Sequence, residues 1–84
     1  MKQELILQGF ESLIQNLSID LRYEKCDFAG GLCRINSKNV LIINNKLPIE
    51  RKINLIAEEL KQLNLDQIYI RPVLRQLIEG RIQR

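Results

Sequence analysis

The sequence contains no histidine, no tryptophan, two cysteines and two prolines among its 84 residues, and it has no long apolar run. Each scarcity closes a class of function. Without histidine there is no imidazole general base, no Ser-His-Asp or Cys-His nucleophile and no His-ligated zinc. Two cysteines, Cys26 and Cys33, are too few to staple a small secreted domain. Their spacing is wider than the C-x-x-C of a redox pair, and no helix start lies nearby to lower a thiol pKa. They read as reduced, half-buried packing side chains, with a disulfide across a hairpin as the alternative. The longest uninterrupted apolar stretch is Val40, Leu41, Ile42 and Ile43, far below the ~20 residues of a membrane-spanning helix. The N-terminus, Met1-Lys2-Gln3-Glu4, leads into an amphipathic segment instead of a signal-peptide core, so the expected location is cytoplasmic.

What is present suits one small globular domain over residues 1–84. The hydrophobic fraction, 45%, is ordinary for a folded chain and too high for disorder. A chain this short buries only about 60–65% of the surface its unfolded form exposes, so its core is thin. The net charge of +3 is unevenly placed. Residues 71–84 hold Arg71, Arg75, Arg81 and Arg84 against Glu79, while the first seventy residues are balanced. A basic segment of this kind either meets nucleic acid, an anionic surface or an acidic partner, or is a solvated helix end that favours cations. The four arginines have no interleaved aromatics, which weakens the nucleic-acid reading.

Apolar residues at Ile6, Phe10, Leu13, Ile14 and Leu17 predict a helix over residues 3–17, with Asn16 or Ser18 able to end it. Gly9 weakens that helix by about 1 kcal/mol relative to alanine. From Ser18 the period becomes two: Ile19, Leu21 and Tyr23 alternate with Asp20, Arg22 and Glu24, a half-buried strand. Gly30-Gly31 reads as a tight turn. No lysine and Ser/Thr follow at phosphate-loop spacing. A strand over residues 32–36, a hairpin loop at Asn36-Ser37-Lys38-Asn39 and the apolar strand 40–43 come next. The lack of alternation in that last strand predicts cover on both faces or a central place in the sheet. Pro48 suits the first position of a helix striped by Ile49, Ile53, Ile56, Leu60 and Leu63, with Asn64 as a candidate left-handed cap. Pro72 opens, and Gly80 closes, a short final helix. The expected fold is α+β: an N-terminal helix, a three-stranded antiparallel meander, an amphipathic helix packed on the sheet and a short C-terminal helix, with the helices on one face.

The strand–loop–helix stretch carries a family resemblance. It runs through Val40-Leu41-Ile42-Ile43-Asn44, then Leu47-Pro48-Ile49-Glu50-Arg51, then Ala57-Glu58-Glu59-Leu60-Lys61-Gln62. This order resembles the N-terminal core of zincin-type metallopeptidases, nearest the ImmA/IrrE group, over about residues 18–63. Those proteins have a comparable strand, a Leu-Pro-x-Glu-Arg helix start and an HExxH zinc helix. The resemblance implies their fold. In the zinc motif only Glu59 matches, at the general-base position. Glu58 and Gln62 stand where the two zinc histidines would be. They keep the four-residue spacing that places two ligands on one helix face, but a carboxylate and an amide oxygen suit tetrahedral zinc poorly. A general base without its metal has no activated water to deprotonate. Taken as plain sequence, Glu58 and Glu59 are solvated surface neighbours of Lys61 and Gln62.

The expected function is therefore a small non-catalytic, protein-binding or regulatory domain with a degenerate zincin-like core and no cofactor or metal. Nucleic-acid binding through Arg71, Arg75, Arg81 and Arg84 is the alternative, and a metal-dependent hydrolase remnant at Glu58, Glu59 and Gln62 is a second. The candidate partner surface is Tyr69, Arg71, Arg75 and Arg81. Around it Ile68 and Ile70 either tuck under the sheet or join an exposed patch on which a homodimer could form.

Overall fold

The N-terminal stripe folds as predicted. Helix α1 (Gln3–Asn16) buries Ile6, Phe10, Leu13 and Ile14. It ends in two paired bonds, Ser18 N–H to the Gln15 carbonyl at 3.0 Å and Ile19 N–H to the Ile14 carbonyl at 3.1 Å. With Ser18 at φ 60° and Ile19 buried just beyond it, this is a Schellman stop built on serine where glycine is commonest. The rest of the chain gives strands β1 (Asp20–Glu24), β2 (Gly30–Ile35) and β3 (Lys38–Asn44), then helices α2 (Ile49–Leu60) and α3 (Pro72–Glu79). The computed structural model describes residues 2–80. The class is α+β: an N-terminal helix, a three-stranded sheet and two further helices.

The sheet is mixed, and this corrects the expected antiparallel meander. Its order is β1-β3-β2. β2 and β3 form the predicted hairpin, antiparallel, with Leu32 opposite Leu41 and Cys33 opposite Val40. Asn36 and Ser37 at its tip both have positive φ, 52° and 67°, the backbone that matches the twist of a two-residue hairpin. β1, however, pairs with β3, in parallel, with Leu21 beside Leu41 and Tyr23 beside Ile43. Residues 25–29 carry the chain across the end of β3. Two strand spacings are about 10 Å, well within the reach of five residues.

Asn44 ties this crossing down. Its Nδ2 donates to the carbonyls of Cys26 at 3.1 Å and Phe28 at 3.2 Å, and its Oδ1 accepts from Lys46 N–H at 3.0 Å. Its own N–H donates to the Ala29 carbonyl, and Asn45 N–H to that of Glu24. Gly30 is the landing point. At φ +133°, its backbone runs so close to Ile42 that a Cβ would be driven into the Ile42 carbonyl oxygen. The Gly-Gly pair is thus the start of a strand and not the expected tight turn, and it is glycine at the first position because of this close approach.

Leu41 and Ile43 face a core shared with Phe10, Ile14, Ile53, Ile56, Leu60, Leu65, Ile70, Leu74 and Ile78. Strand alternation puts Val40 and Ile42 on the opposite face, outside that cluster. β3 is central, as its apolar run predicts, and Val40, outside the helix-packed cluster, is still only 1% exposed. Pro48 lies one residue before α2, with φ −60° and extended ψ. Asn64 is not the left-handed cap expected. It does not appear among the positive-φ residues, and its Oδ1 accepts from Asp66 N–H at 3.2 Å. Gly80 does close α3 in the left-handed region.

The two adjacent glycines make opposite predictions. Gly30→Ala is expected to destabilise the fold by about 3 kcal/mol or more, because both φ and the Ile42 carbonyl oppose it. At Gly31 a Cβ meets only Glu59 Oε1, at 3.7 Å, so Gly31→Ala should cost less than about 1 kcal/mol. Urea unfolding of the two variants checks this, and equal losses would contradict the close approach.

Candidate functional site

Between α2 and α3 the chain is pinned by a buried Leu65, turns so that Ile68 N–H donates to the Leu65 carbonyl at 3.2 Å, and then runs without regular structure through Tyr69, Ile70 and Arg71 to α3. Burial alternates along it: Ile68 is half-buried, Tyr69 exposed, Ile70 buried and Arg71 exposed. The two isoleucines turn inward, Ile70 as a member of the core that Leu41 and Ile43 of the sheet share with the helices and Ile68 packed against it. The two remaining side chains turn out. Tyr69 is 81% exposed, the most exposed large apolar residue described.

The four residues expected to form one partner surface have different fates. Tyr69 and Arg71 line a common groove. Arg75 does not join them. Its guanidinium donates to the carbonyls of Leu65 at 3.3 Å and Ile68 at 3.1 Å, and it lies 3.7 Å from Glu79. Arg75 therefore holds the connector to α3, a structural use that removes it from the candidate surface. Arg81 and Arg84 lie outside the described residues.

The groove lies between α1 and residues 69–74 and encloses about 490 Å³. Two rows of α1 side chains, four residues apart, line it: Leu5, Gly9 and Leu13, and beside them Gln8, Ser12 and Asn16. At its floor Leu74 approaches Gly9 closely, so that a Cβ there would lie 3.1 Å from a Leu74 methyl. Leu5, 48% exposed, leaves an apolar edge on the α1 side. Sequence reading missed the α1 contribution. The available signal was the polar row Gln8-Ser12-Asn16 beside a row with a glycine gap, which a search for a single buried stripe passes over.

The α2 carboxylates are separated. Glu59 Oε1 accepts a hydrogen bond from Leu32 N–H at 2.8 Å in a partly buried position. Leu32 is on an edge strand, whose alternate N–H groups point away from the sheet. Glu59 thus fastens α2 to the β2 edge, which corrects its reading as a solvated neighbour of Gln62. Glu58 instead lines a shallow hollow of about 160 Å³ with Ala29, Leu47 and Arg51. Zinc does not fit these residues: the chain has no imidazole, and the one matching carboxylate already holds a backbone N–H. Among the described residues no group of three or more His, Cys, Asp or Glu is placed to hold a metal ion.

Cys26 and Cys33 are both free. Cys26 is half-buried in the crossing loop, as expected, its thiol 3.2 Å from the Phe28 carbonyl, whereas Cys33 is exposed on β2 instead of half-buried. Tyr23 joins three elements. Its hydroxyl donates to Glu11 of α1 at 2.5 Å, and Lys52 of α2 lies over its ring, 5.4 Å from the centroid. Burial, and then the bond to the Glu11 carboxylate, hold this hydroxyl well above the ordinary tyrosine range.

Among the described residues no helix is long and apolar enough to cross a membrane. No protein-family profile, curated protein or solved structure matches the chain.

Two predictions follow from these contacts. Glu59→Ala leaves a partly buried N–H without its acceptor and should cost about 1–2 kcal/mol in urea unfolding, whereas Glu58→Ala should stay within about 0.5 kcal/mol. Similar costs for both would refute the tie to Leu32. For Tyr23, the folded state keeps a proton that the unfolded chain releases near pH ~10. Its contribution is therefore complete below about pH 10 and is lost as pH rises further. Stability should fall more steeply between about pH 9 and 11 in the parent than in Tyr23→Phe, and identical profiles would contradict the shift.

Proposed function

We propose that the chain is a small protein-binding module without a catalytic role, whose partner seats on the groove between α1 and residues 69–74. One observation carries this reading: an aromatic side chain, Tyr69, stands 81% exposed on a segment that both of its isoleucine neighbours anchor inward. Tyrosine and arginine are the residues most often found at the energetic centre of interfaces, and Tyr69 and Arg71 share this groove. The resemblance to a zincin core without its imidazoles supports the same reading, because a scaffold of that kind acts through its surfaces. Two free thiols, Cys26 and Cys33, suit a reducing compartment, and we place the protein in the cytoplasm.

The rival readings have less support. Nucleic-acid binding draws its affinity from many phosphate contacts, about 6–10 for a typical site. Of the four arginines counted toward it, Arg75 is engaged internally, and Arg71 is the one remaining within the described residues. For the hydrolase remnant, no group of three or more metal donors comes together among the described residues.

A photoreactive amino acid placed at Gln8, and separately at the hairpin tip Ser37, which does not line the groove, tests this in living cells. The groove position should give a discrete protein adduct that the hairpin position does not. Tyr69→Ala should weaken it about tenfold, as loss of an interface anchor does. An adduct of twice the chain's mass would identify a second copy as the partner. Equal labelling from both positions, or none from Gln8, would reject the reading.

A further inference from the structure

We infer that the groove takes a short extended peptide whose acidic side chain meets Arg71 while its backbone bonds to Gln8, Ser12 and Asn16; the inference rests on the groove being the partner surface. Three properties of the groove lead to this occupant. The first is size. α1 has 14 residues, about 21 Å of helix, and two helices side by side are about 20 Å across. That face offers roughly 400 Å², half of the ~800 Å² that each side of a standard protein–protein interface covers. A peptide fits it better than a second globular surface.

The second property is the polar row. Gln8, Ser12 and Asn16 are uncharged, and their side chains have no hydrogen-bond partner among the described residues. They extend over about 12 Å of α1, the length of about four residues of extended chain. A helix arrives with its backbone groups already paired, whereas an extended segment arrives with unpaired N–H and C=O groups. A row of amides and a hydroxyl can meet those groups without adding charge. The third property is sign. Among the described residues Arg71 is the one charged side chain lining the groove, and its guanidinium makes no ion pair or hydrogen bond there. A guanidinium of this kind pairs with a carboxylate in a bidentate fork. Beneath it, Leu13, Ile70 and Leu74 supply an apolar floor for one aliphatic side chain of the same peptide.

The test is selection of capped random peptides of about eight residues on the intact, immobilised chain, followed by binding measurements on the peptides recovered. They should carry Asp or Glu beside an aliphatic residue. Arg71→Glu should weaken them about tenfold, and selection on Arg71→Glu itself should favour Lys or Arg instead. Ser12→Trp, at an exposed helical position, should fill the groove and abolish binding, with circular dichroism checking that each variant remains folded. Peptides with no acidic bias that Ser12→Trp still blocks would overturn the acidic class and leave the groove reading intact. Peptides indifferent to both Ser12→Trp and Tyr69→Ala would overturn both. Failure to recover any peptide would overturn the inference; binding of a mixed-sequence RNA dodecamer, lost in Tyr69→Ala, would then replace it with a nucleic-acid site.

Discussion

The fold depends on a single constraint: β3 must lie in the middle of the sheet. It carries the one uninterrupted run of four apolar residues, and in a sheet of three strands only the central one is flanked by a neighbour on both edges. The β2–β3 turn is two residues long and fixes β2 on one side, so β1 must occupy the other. That arrangement makes β1 parallel to β3 and obliges residues 25–29 to cross the end of β3. A crossing loop has carbonyls that no strand satisfies, and Asn44 supplies the missing donors. Placing an amide at the last position of the central strand is what makes this topology affordable in hydrogen bonds.

The same economy joins the helix layer to the sheet. Helices pack on the sheet mainly through Leu41, Ile43 and the buried aliphatics of α2, a non-directional contact that does not by itself fix where α2 sits along the strands. Two polar ties set that position. Glu59 holds α2 to the outer edge of β2, and the Tyr23–Glu11 bond with Lys52 over the ring gathers α1, β1 and α2 on the opposite side. The Glu59 bond also occupies an N–H that an edge strand would otherwise present to another chain. A carboxylate on an amphipathic helix beside an edge strand thus has a complete structural explanation, with no ion required.

The helices were legible in the sequence because each has a strong stripe, and Ser18, Pro72 and Gly80 bound α1 and α3 near the positions their chemistry indicates, whereas the end of α2 was not legible from Asn64. The hairpin was legible from Asn36-Ser37. The strand order was not, and the two expectations in play contradicted each other. A meander places β3 at the edge, whereas an apolar run over residues 40–43 asks for the centre. The apolar run had the physical weight, since exposing it at an edge costs burial, while the preference of sequential strands for adjacency is only a tendency. Arg75 misled for a different reason. A guanidinium has five donors and serves a backbone turn as readily as a partner, and only three-dimensional placement distinguishes the two. The alternation of Ile68, Tyr69, Ile70 and Arg71 was visible as a period of two, which already assigns the isoleucines and the polar pair to opposite sides.

Gly9 connects the weakest point of α1 to the groove beside it. A glycine in the middle of a helix costs about 1 kcal/mol relative to alanine, and nothing in the backbone of α1 requires one, since Gly9 is not among the positive-φ residues. The requirement comes from α3. This helix has only eight residues and must bury Leu74 and Ile78 against a layer already filled by α1 and α2. Leu74 reaches that layer by resting on Gly9, where a methyl group would lie 3.1 Å from it, closer than carbon atoms pack without displacement. α3 thus approaches α1 closely at one point. Away from that point the short helix and the connector cannot follow a helix of 14 residues, and the surfaces diverge into the groove. The glycine that weakens α1 is therefore also what brings Tyr69 and Arg71 alongside Gln8, Ser12 and Asn16.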